Sequence, residues 1–186
     1  RLMNIIVKPY NCNLCYCRPD TTWEKESRDL YIPEGVDKVL WAPVVFAKVC
    51  KAGKCVSGKF VSRYYDAVGF GALVYCNDGN IAFSSCMDHT SILPMPLYNP
   101  VVFDNGDNVF SIKLGEKSFT SVADETIRKA LEETICKASE RVSLRIGDLV
   151  ALELSPLEIA AERNAGETCI KGEFCENTLF DLKVIF

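Results

Sequence analysis

Histidine is nearly absent from this sequence, which has a single imidazole, at His89. Because histidine is the side chain that ordinarily titrates close to neutral pH, any imidazole acid–base chemistry must use this one residue. Asp88 stands beside it and is a candidate to hold its tautomer, although neighbouring residues in a strand point to opposite faces. We predict a catalytic role for His89 and Asp88, with an ordinary loop histidine as the alternative.

Long apolar runs and an excess of basic residues are also lacking. No stretch approaches the roughly 18 to 20 apolar residues needed to span a bilayer, and residues 1–7 lack the h-region of a signal peptide. The 21 basic and 25 acidic residues give a formal charge of −4 and are spread along the chain. No basic face is therefore available to neutralise a phosphate backbone. These absences predict a cytoplasmic protein that binds neither nucleic acid nor a membrane.

Cysteine, in contrast, is abundant, with ten residues at irregular spacings. The 48% hydrophobic content supplies a full core, so the chain does not need the disulfides that hold small secreted domains together. Cys12, Cys15 and Cys17 could belong to a zinc site, because Cys-x-x-Cys chelates zinc when a second pair completes four ligands, or could serve a redox role. We expect instead mostly reduced, unrelated thiols.

Short β-rich segments fill most of the sequence, and one segment, 122–139, has helical periodicity. The residues that share one face of this helix are Ile127, Ala130, Leu131, Thr134, Ile135 and Ala138. Ser121 followed by Asp124 predicts the N-terminal cap of the helix. About ten short strands with one main helix predict an α+β, β-dominated domain.

Further predictions concern the strands and their connections. We expect a first strand at 3–8, a long ordered loop at 11–37, a hairpin formed by 43–50 and 55–61, a strand at 68–76 joined by a turn at 77–80 to another at 81–85, and a short strand at 101–103. Residues 1–40 are then an N-terminal strand and loop extension of a β-rich domain that spans 41–186.

Several of these segments occur in the same order as motifs of the fumarylacetoacetate hydrolase family. Pro43–Lys48 resembles the Pro-x-x-Phe-x-Lys segment, whose lysine often faces the active site. Tyr65–Asp66 and the apolar run after them are similar to the strand that opens with Glu-x-Glu. Asp88–Pro94 resembles the Asp-Thr-Phe-x-Pro-x-Gly-Pro region.

The C-terminal third carries the rest of the resemblance. Ile112–Glu116 looks like the family's Asn-Gly-Glu hairpin, Leu144–Asp148 resembles its Pro-Gly-Asp turn, and Glu153–Pro156 occupies the place of its Thr-Gly-Thr-Pro loop. The resemblance covers residues 40–186 and implies the family's fold, a mixed β-sandwich or roll with one main helix. It also implies a homodimer, which the family commonly forms.

The resemblance implies a hydrolase, isomerase or decarboxylase acting on a small oxo- or dicarboxylic acid. Lys48, Arg63 and Tyr65 would then contact the substrate, since a planar guanidinium beside phenols suits a carboxylate. Asp66 and Glu153 would bind Mg²⁺ or Mn²⁺ through carboxylate oxygens. An equally direct interpretation is that Arg63 pairs with a surface acid and that Glu153 faces solvent from its strand.

Two departures from the family pattern support a different function. The position two residues after Asp66 holds Val68 in place of a second carboxylate, and the family's Asn-Tyr-x-x-His-x-x-Glu segment has no counterpart. A module that binds a ligand or forms dimers without catalysis, and without a cofactor, is therefore the alternative. Glu153 discriminates between the two, because a buried carboxylate needs a cation, a basic partner or a proton.

Overall fold

Long apolar strands organise this chain into two sheets. The computed structural model describes residues 3–77 and 81–186, which contain thirteen strands and the long helix α2 (Glu125–Arg141). In chain order the strands are β1 (Ile5–Lys8), β2 (Tyr16–Arg18), β3 (Trp23–Glu24), β4 (Leu30–Tyr31), β5 (Lys38–Val49), β6 (Tyr65–Cys76), β7 (Ser91–Ile92), β8 (Asn108–Leu114), β9 (Lys117–Ala123), β10 (Leu149–Glu153), β11 (Glu158–Glu162), β12 (Thr168–Phe174) and β13 (Asn177–Ile185). The shorter helices are α1 (Ile81–Ser84) and the 3-10 helices Asp20–Thr22, Gly58–Arg63, Pro100–Phe103 and Arg163–Ala165.

The larger sheet is built around β5 and β6, which are 12 residues long and almost entirely buried. Its strand order in the described chain is β2-β1-β10-β5-β6-β7-β3, with β11 also paired to β5. The first strand, β1, lies parallel to β10 in this sheet. Because both faces of the central strands are covered, their sequences read as continuous apolar runs instead of alternating ones.

The smaller sheet runs β4-β13-β12-β8-β9 and packs on one face of the larger sheet. Phe70 of β6 stacks on Phe174 of β12, with ring centroids 4.5 Å apart, and lies 5.1 Å from the ring of Phe110 on β8. The helix α2 covers the same core with Leu131 and Ile135. This is the main core of the protein.

A second core lies on the opposite face of the larger sheet, around Phe46, Leu73 and Tyr75. Two glycines of β6 allow a close approach there: a Cβ atom on Gly69 would lie 2.3 Å from the Phe46 ring, and one on Gly71 would lie 2.1 Å from the Ile92 carbonyl oxygen. Side chains and the neighbouring strand β7 therefore fill the space directly above β6.

The predicted fold class and main helix are confirmed. The helix begins at Glu125, and its cap is Asp124, whose carboxylate oxygen Oδ1 accepts a hydrogen bond of 3.0 Å from the Ile127 N–H. Ser121 lies within β9, so its predicted capping role is wrong. The predicted helical face is buried or half-buried against the main core, as its periodicity indicated.

Several local predictions are wrong because tertiary pairing overrides them. β5 forms its hairpin with β6, and the 3-10 helix Gly58–Arg63 takes up residues 58–61 of the predicted partner strand 55–61. Ile81–Ser84 is helical, and Pro100–Phe103 is a 3-10 helix with Asn99 as its cap. Residues 78–80 of the predicted turn lie outside the described residues.

The N-terminal segment contributes to both sheets. The predicted loop at 11–37 contains β2, β3 and β4, and β4 pairs in parallel with β13 of the smaller sheet. The division at residue 40 stays a prediction.

Among the described residues, no cysteines are joined by a disulfide and no group of three or more histidine, cysteine or acidic side chains could hold a metal ion. No helix in the described ranges is long and apolar enough to cross a membrane.

Candidate functional site

Glu153 is placed at a break in the larger sheet. The pairing of β10 with β5 ends at Glu153 opposite Val44, and the pairing of β11 with β5 starts at Glu158 opposite Trp41. Pro43 lies between these two pairs and has no N–H to offer a neighbouring strand. Leu154 still donates its N–H to the Pro43 carbonyl oxygen at 2.9 Å before the chain leaves the sheet. Glu153 therefore lies at the end of a buried strand and is 4% exposed.

Three hydrogen bonds connect Glu153 to a pair of tyrosines and to the N-terminal segment. The Tyr10 N–H donates to Oε2 at 3.0 Å, and the Tyr75 hydroxyl donates to Oε1. The hydroxyls of Tyr75 and Tyr16 lie 2.5 Å apart. These groups form a continuous chain, the Glu153 relay (Glu153, Tyr75 and Tyr16), that runs from a buried carboxyl to a half-buried phenol.

Burial governs the titration of the Glu153 relay. It raises the pKa of Glu153, although the hydrogen bonds from Tyr75 and Tyr10 act in the opposite direction. It also raises the pKa of Tyr75 and raises that of Tyr16 to about 12. The relay therefore retains its protons more strongly than the same groups would in water.

Arg18 is a buried cation beside the Glu153 relay. Its guanidinium lies 4.8 Å from the centroid of the Tyr75 ring. The same group donates to the Val74 carbonyl oxygen at 2.6 Å, to the Ser85 carbonyl oxygen at 2.8 Å and to the Thr90 hydroxyl at 3.0 Å. Arg18 therefore links Tyr75 to the segment that carries His89.

His89 forms a pair with a glutamate that is distant in sequence. Its Nδ1 lies 3.0 Å from Oε2 of Glu24, which is 3% exposed, whereas the imidazole is 47% exposed. Glu24 is fixed by the pairing of β3 with β7, and its other oxygen, Oε1, accepts the Glu26 N–H at 2.6 Å. His89 has a φ of +62°, in the left-handed region, and its N–H donates to the Thr21 carbonyl oxygen at 3.3 Å.

Asp88 does not hold the His89 ring, contrary to the sequence prediction. Asp88 is exposed, and Glu24 is the carboxylate that holds the His89 ring. Since Glu24 occupies Nδ1, Nε2 is the ring nitrogen left for a water molecule or a substrate.

The three predicted substrate residues do not converge. Lys48 is exposed and, by strand alternation, shares the sheet face of Phe46. Tyr65 belongs to the main core on the other face, where its hydroxyl donates to Glu132 of α2 at 2.8 Å. Arg63 is exposed, with its guanidinium 5.1 Å from the centroid of the Phe60 ring.

Asp66 and Glu153, the predicted metal ligands, are not brought together either. Asp66 is exposed at a bulge of β6, where the pairing shifts beside Lys48, whereas Glu153 lies opposite Val44. Four residues of β5 separate these positions, or roughly 13 Å along the strand.

The sequence matches no family model and no curated protein. Solved structures do match, with the whole chain covered. A putative fumarylacetoacetate hydrolase family protein from Yersinia pestis CO92 matches with a TM-score of 0.78 at 13% identity, over 93% of its chain. A fumarylpyruvate hydrolase from Pseudomonas aeruginosa, in complex with Mn²⁺ and pyruvate, matches with a TM-score of 0.77 at 15% identity, over 90% of its chain.

This chain has the fumarylacetoacetate hydrolase fold. A maleylpyruvate hydrolase from Sphingobium sp. SYK-6 also matches, with a TM-score of 0.74 at 12% identity, over 98% of this chain and 69% of its own. The resemblance expected from motif order is confirmed for the fold. The structural match also includes the strands that precede residue 40.

The fumarylacetoacetate hydrolase fold implies a divalent metal, but the predicted ligands of this chain do not fit one. Such an ion needs several carboxylate oxygens within about 2.0 to 2.6 Å. Here Asp66 and Glu153 are far apart along the sheet, and the buried Val68 stands two residues after Asp66. Glu153 instead has its oxygens hydrogen-bonded to Tyr75 and Tyr10.

Sequence reasoning missed Glu24, Arg18 and Tyr75. Glu24 and Arg18 lie in the segment that was predicted as a loop, so no periodicity indicated their burial. Tyr75 carried a usable signal: a phenol within a buried apolar strand needs a hydrogen-bond partner, and Glu153 was the acid that needed one as well.

Proposed function

We propose that this chain catalyses the hydrolysis, isomerisation or decarboxylation of a small oxo- or dicarboxylic acid, with His89 as its acid–base group. The observation that carries this proposal is the His89–Glu24 pair, an exposed imidazole held by a buried carboxylate at 3.0 Å. Support also comes from the fold, since the structural neighbours include a fumarylpyruvate hydrolase and a maleylpyruvate hydrolase.

The His89–Glu24 pair can transfer a proton at a defined atom. With its proton on Nδ1, the imidazole donates to Glu24, and Nε2 is free to accept a proton from water or from a carbon beside a carbonyl group. The buried carboxylate then stabilises the imidazolium that forms. The same Nε2 can return the proton to the leaving carbon, which completes either a hydrolysis or a shift of the double bond.

The Glu153 relay is the proposed second proton source. Tyr16 is its half-buried end, and a neutral phenol can donate to an oxygen that becomes negative as an enolate forms. Tyr75 lies between Tyr16 and Glu153. In the state in which Glu153 is protonated, its carboxyl donates to Tyr75 and Tyr75 donates to Tyr16, so Glu153 loses the proton that replaces the one Tyr16 has donated. Arg18 connects this relay to the His89 segment, because it binds both the Thr90 hydroxyl and the Val74 carbonyl oxygen.

A substrate screen tests the proposal. The purified chain is incubated with a panel of small oxo- and dicarboxylic acids that includes fumarylpyruvate and maleylpyruvate, and products are separated by chromatography. For a substrate that is turned over, we expect His89→Gln and Glu24→Gln to lower kcat by about 100-fold or more. Lys113→Gln, which changes an exposed strand residue outside the site, is the matched control.

Retention of wild-type kcat by His89→Gln would remove the acid–base assignment. Loss of activity in Glu24→Gln together with loss of the native near-ultraviolet circular dichroism would reduce Glu24 to a folding role. His89→Gln separates these outcomes, because its exposed side chain can be replaced without emptying the core.

A second candidate is a non-catalytic module that binds a ligand or forms a homodimer. The filled space above β6 favours it, since Phe46 and the Ile92 carbonyl oxygen lie directly on Gly69 and Gly71. Under this alternative, no acid in the panel is turned over, and light scattering after size exclusion gives the mass of two chains. Turnover that depends on His89 would reject it.

A further inference from the structure

A groove that includes charged side chains lies on the helix side of the larger sheet, away from the His89–Glu24 pair and the Glu153 relay. Its volume is about 450 Å³, and it runs between α2, the end of β1 and the 3-10 helix Gly58–Arg63. Lys8, Lys129, Lys137, Glu132, Glu133 and Val61 are among its lining residues. Grooves of roughly 300 to 1,000 Å³ accommodate small molecules.

Most charges of this groove already have partners. The Lys137 ammonium lies 3.1 Å from Glu140, and the Lys129 ammonium lies 3.8 Å from Glu125. One oxygen of Glu132, Oε1, accepts the Tyr65 hydroxyl at 2.8 Å.

Two opposite charges remain. Lys8 is half-buried at the end of β1, and within the part of the chain that the structure describes neither Lys8 nor Glu133 forms an ion pair. A bound carboxylate would give the Lys8 ammonium a charge-assisted hydrogen bond.

The thiol of Cys136 also lines the groove, but it adds no charge. Burial, followed by the charges of Glu132, Glu140 and Glu133, raises the pKa of this thiol. The thiol therefore stays protonated at neutral pH and, like Val61, contributes a small apolar surface to the groove.

We propose that this groove binds a small zwitterion that carries one carboxylate and one ammonium, the chemistry of a free amino acid. The ligand carboxylate pairs with Lys8, and the ligand ammonium pairs with Glu133 and with Oε2 of Glu132. A dicarboxylate would place a negative charge against the two glutamates, and a simple amine would leave Lys8 without a partner. The groove shares no lining residue with the proposed catalytic groups, so this inference does not depend on them.

Calorimetric titration of the whole chain tests the inference with alanine and leucine as zwitterions, succinate as a dicarboxylate and propylamine as an amine. We expect saturable binding of at least one amino acid, with succinate and propylamine at least about 10-fold weaker, which corresponds to one lost charge-assisted contact. Lys8→Gln and Glu133→Gln should each weaken amino-acid binding by about 10-fold. Lys8→Arg, which keeps the charge, and Lys113→Gln, which lies outside the groove, should bind like the wild type.

Absence of saturable binding for both amino acids would overturn the inference. Succinate binding as tightly as the amino acids would overturn the zwitterion assignment, and so would Lys8→Gln and Glu133→Gln variants with wild-type affinity. His89→Gln should retain amino-acid binding whether or not the chain is an enzyme. A negative substrate screen therefore leaves the groove proposal intact, and a negative amino-acid titration leaves the proposed enzyme function intact.

Discussion

At the scale of single residues, the most informative side chain is Glu153. A carboxylate in an apolar strand predicts only that it must be neutralised, paired or exposed. The structure buries it and supplies a backbone N–H and the Tyr75 phenol as donors, with Arg18 over the ring of that phenol. Its properties therefore depend on Tyr10 and Tyr75, which lie 143 and 78 residues away in sequence.

Replacing Glu153 should change how stability depends on pH. Since burial raises the pKa of Glu153 in the folded chain, the folded state holds this proton more tightly than the unfolded state. The contribution of Glu153 to wild-type stability should then fall as the pH rises from about 4 towards neutral, whereas Glu153→Gln lacks this fall. In urea titrations across this range, the free energy of unfolding of Glu153→Gln should increase relative to that of the wild type as the pH rises. Parallel curves would contradict the raised pKa.

Removing one hydroxyl from the Glu153 relay should destabilise the fold. Tyr75→Phe leaves Oε1 of Glu153 and the Tyr16 hydroxyl without their common partner, and an unsatisfied buried polar group costs about 1 to 3 kcal/mol. The free energy of unfolding in urea measures this change. Tyr31→Phe is the matched control, because Tyr31 is 71% exposed, and its effect should stay within about 0.5 kcal/mol.

At the scale of elements, the two long strands β5 and β6 determine where side chains can lie. Their register brings Phe46 opposite Gly69 and Ala72 opposite Pro43, and β7 approaches β6 closely at Gly71. Glycine at 71 is required by this approach, since the contacted atom is a backbone oxygen that cannot rotate away.

A methyl group at this position should test the packing of β7 on β6. Gly71→Ala would place its Cβ 2.1 Å from the Ile92 carbonyl oxygen and should cost about 1 to 3 kcal/mol through overpacking. Thermal or urea unfolding measures the loss. Gly58→Ala serves as the control, because a Cβ there meets no heavy atom within 4 Å, and it should leave stability nearly unchanged. Equal stability of the two variants would show that β7 can move away from β6.

At the scale of the whole molecule, the two sheets and α2 enclose two apolar cores, one on each face of the larger sheet. The predicted functional residues are divided between these two faces. Tyr65 reaches α2 on one side of the larger sheet, and Glu153 accepts a hydrogen bond from Tyr75 of the second core on the other. The residues that the family resemblance assigns to one site therefore lie on different faces of the larger sheet.

Divalent cations should bind weakly to the whole protein. Asp66 and Glu153 are separated by roughly 13 Å along the strand, and a ligand that binds only the folded state must raise the unfolding temperature. We expect Mg²⁺, Mn²⁺ and Zn²⁺ to leave Tm unchanged in a thermal-shift titration. A saturable rise in Tm that Glu153→Gln abolishes would instead show that Glu153 ligates the ion.

Local signals in the sequence were sufficient for the parts of the fold that depend on period and composition. The helical face around Leu131 and Ile135 and the apolar strand at 68–76 were predicted and are confirmed. The short helices at 81–84 and 100–103 were predicted as strands, because four residues are too few for a period to distinguish the two structures.

The sequence by itself determined a β-dominated fold with one long helix, the motif order of a fumarylacetoacetate hydrolase, and a single imidazole for acid–base chemistry. Only the tertiary structure decided which carboxylate lies beside His89 and which partners surround Glu153. Pairing of β3 with β7 brings Glu24 to His89, 65 residues away, and the break after β10 brings Glu153 to Tyr75. Contacts between distant strands follow from sheet register and from the packing of whole faces, and no local pattern of residues encodes them.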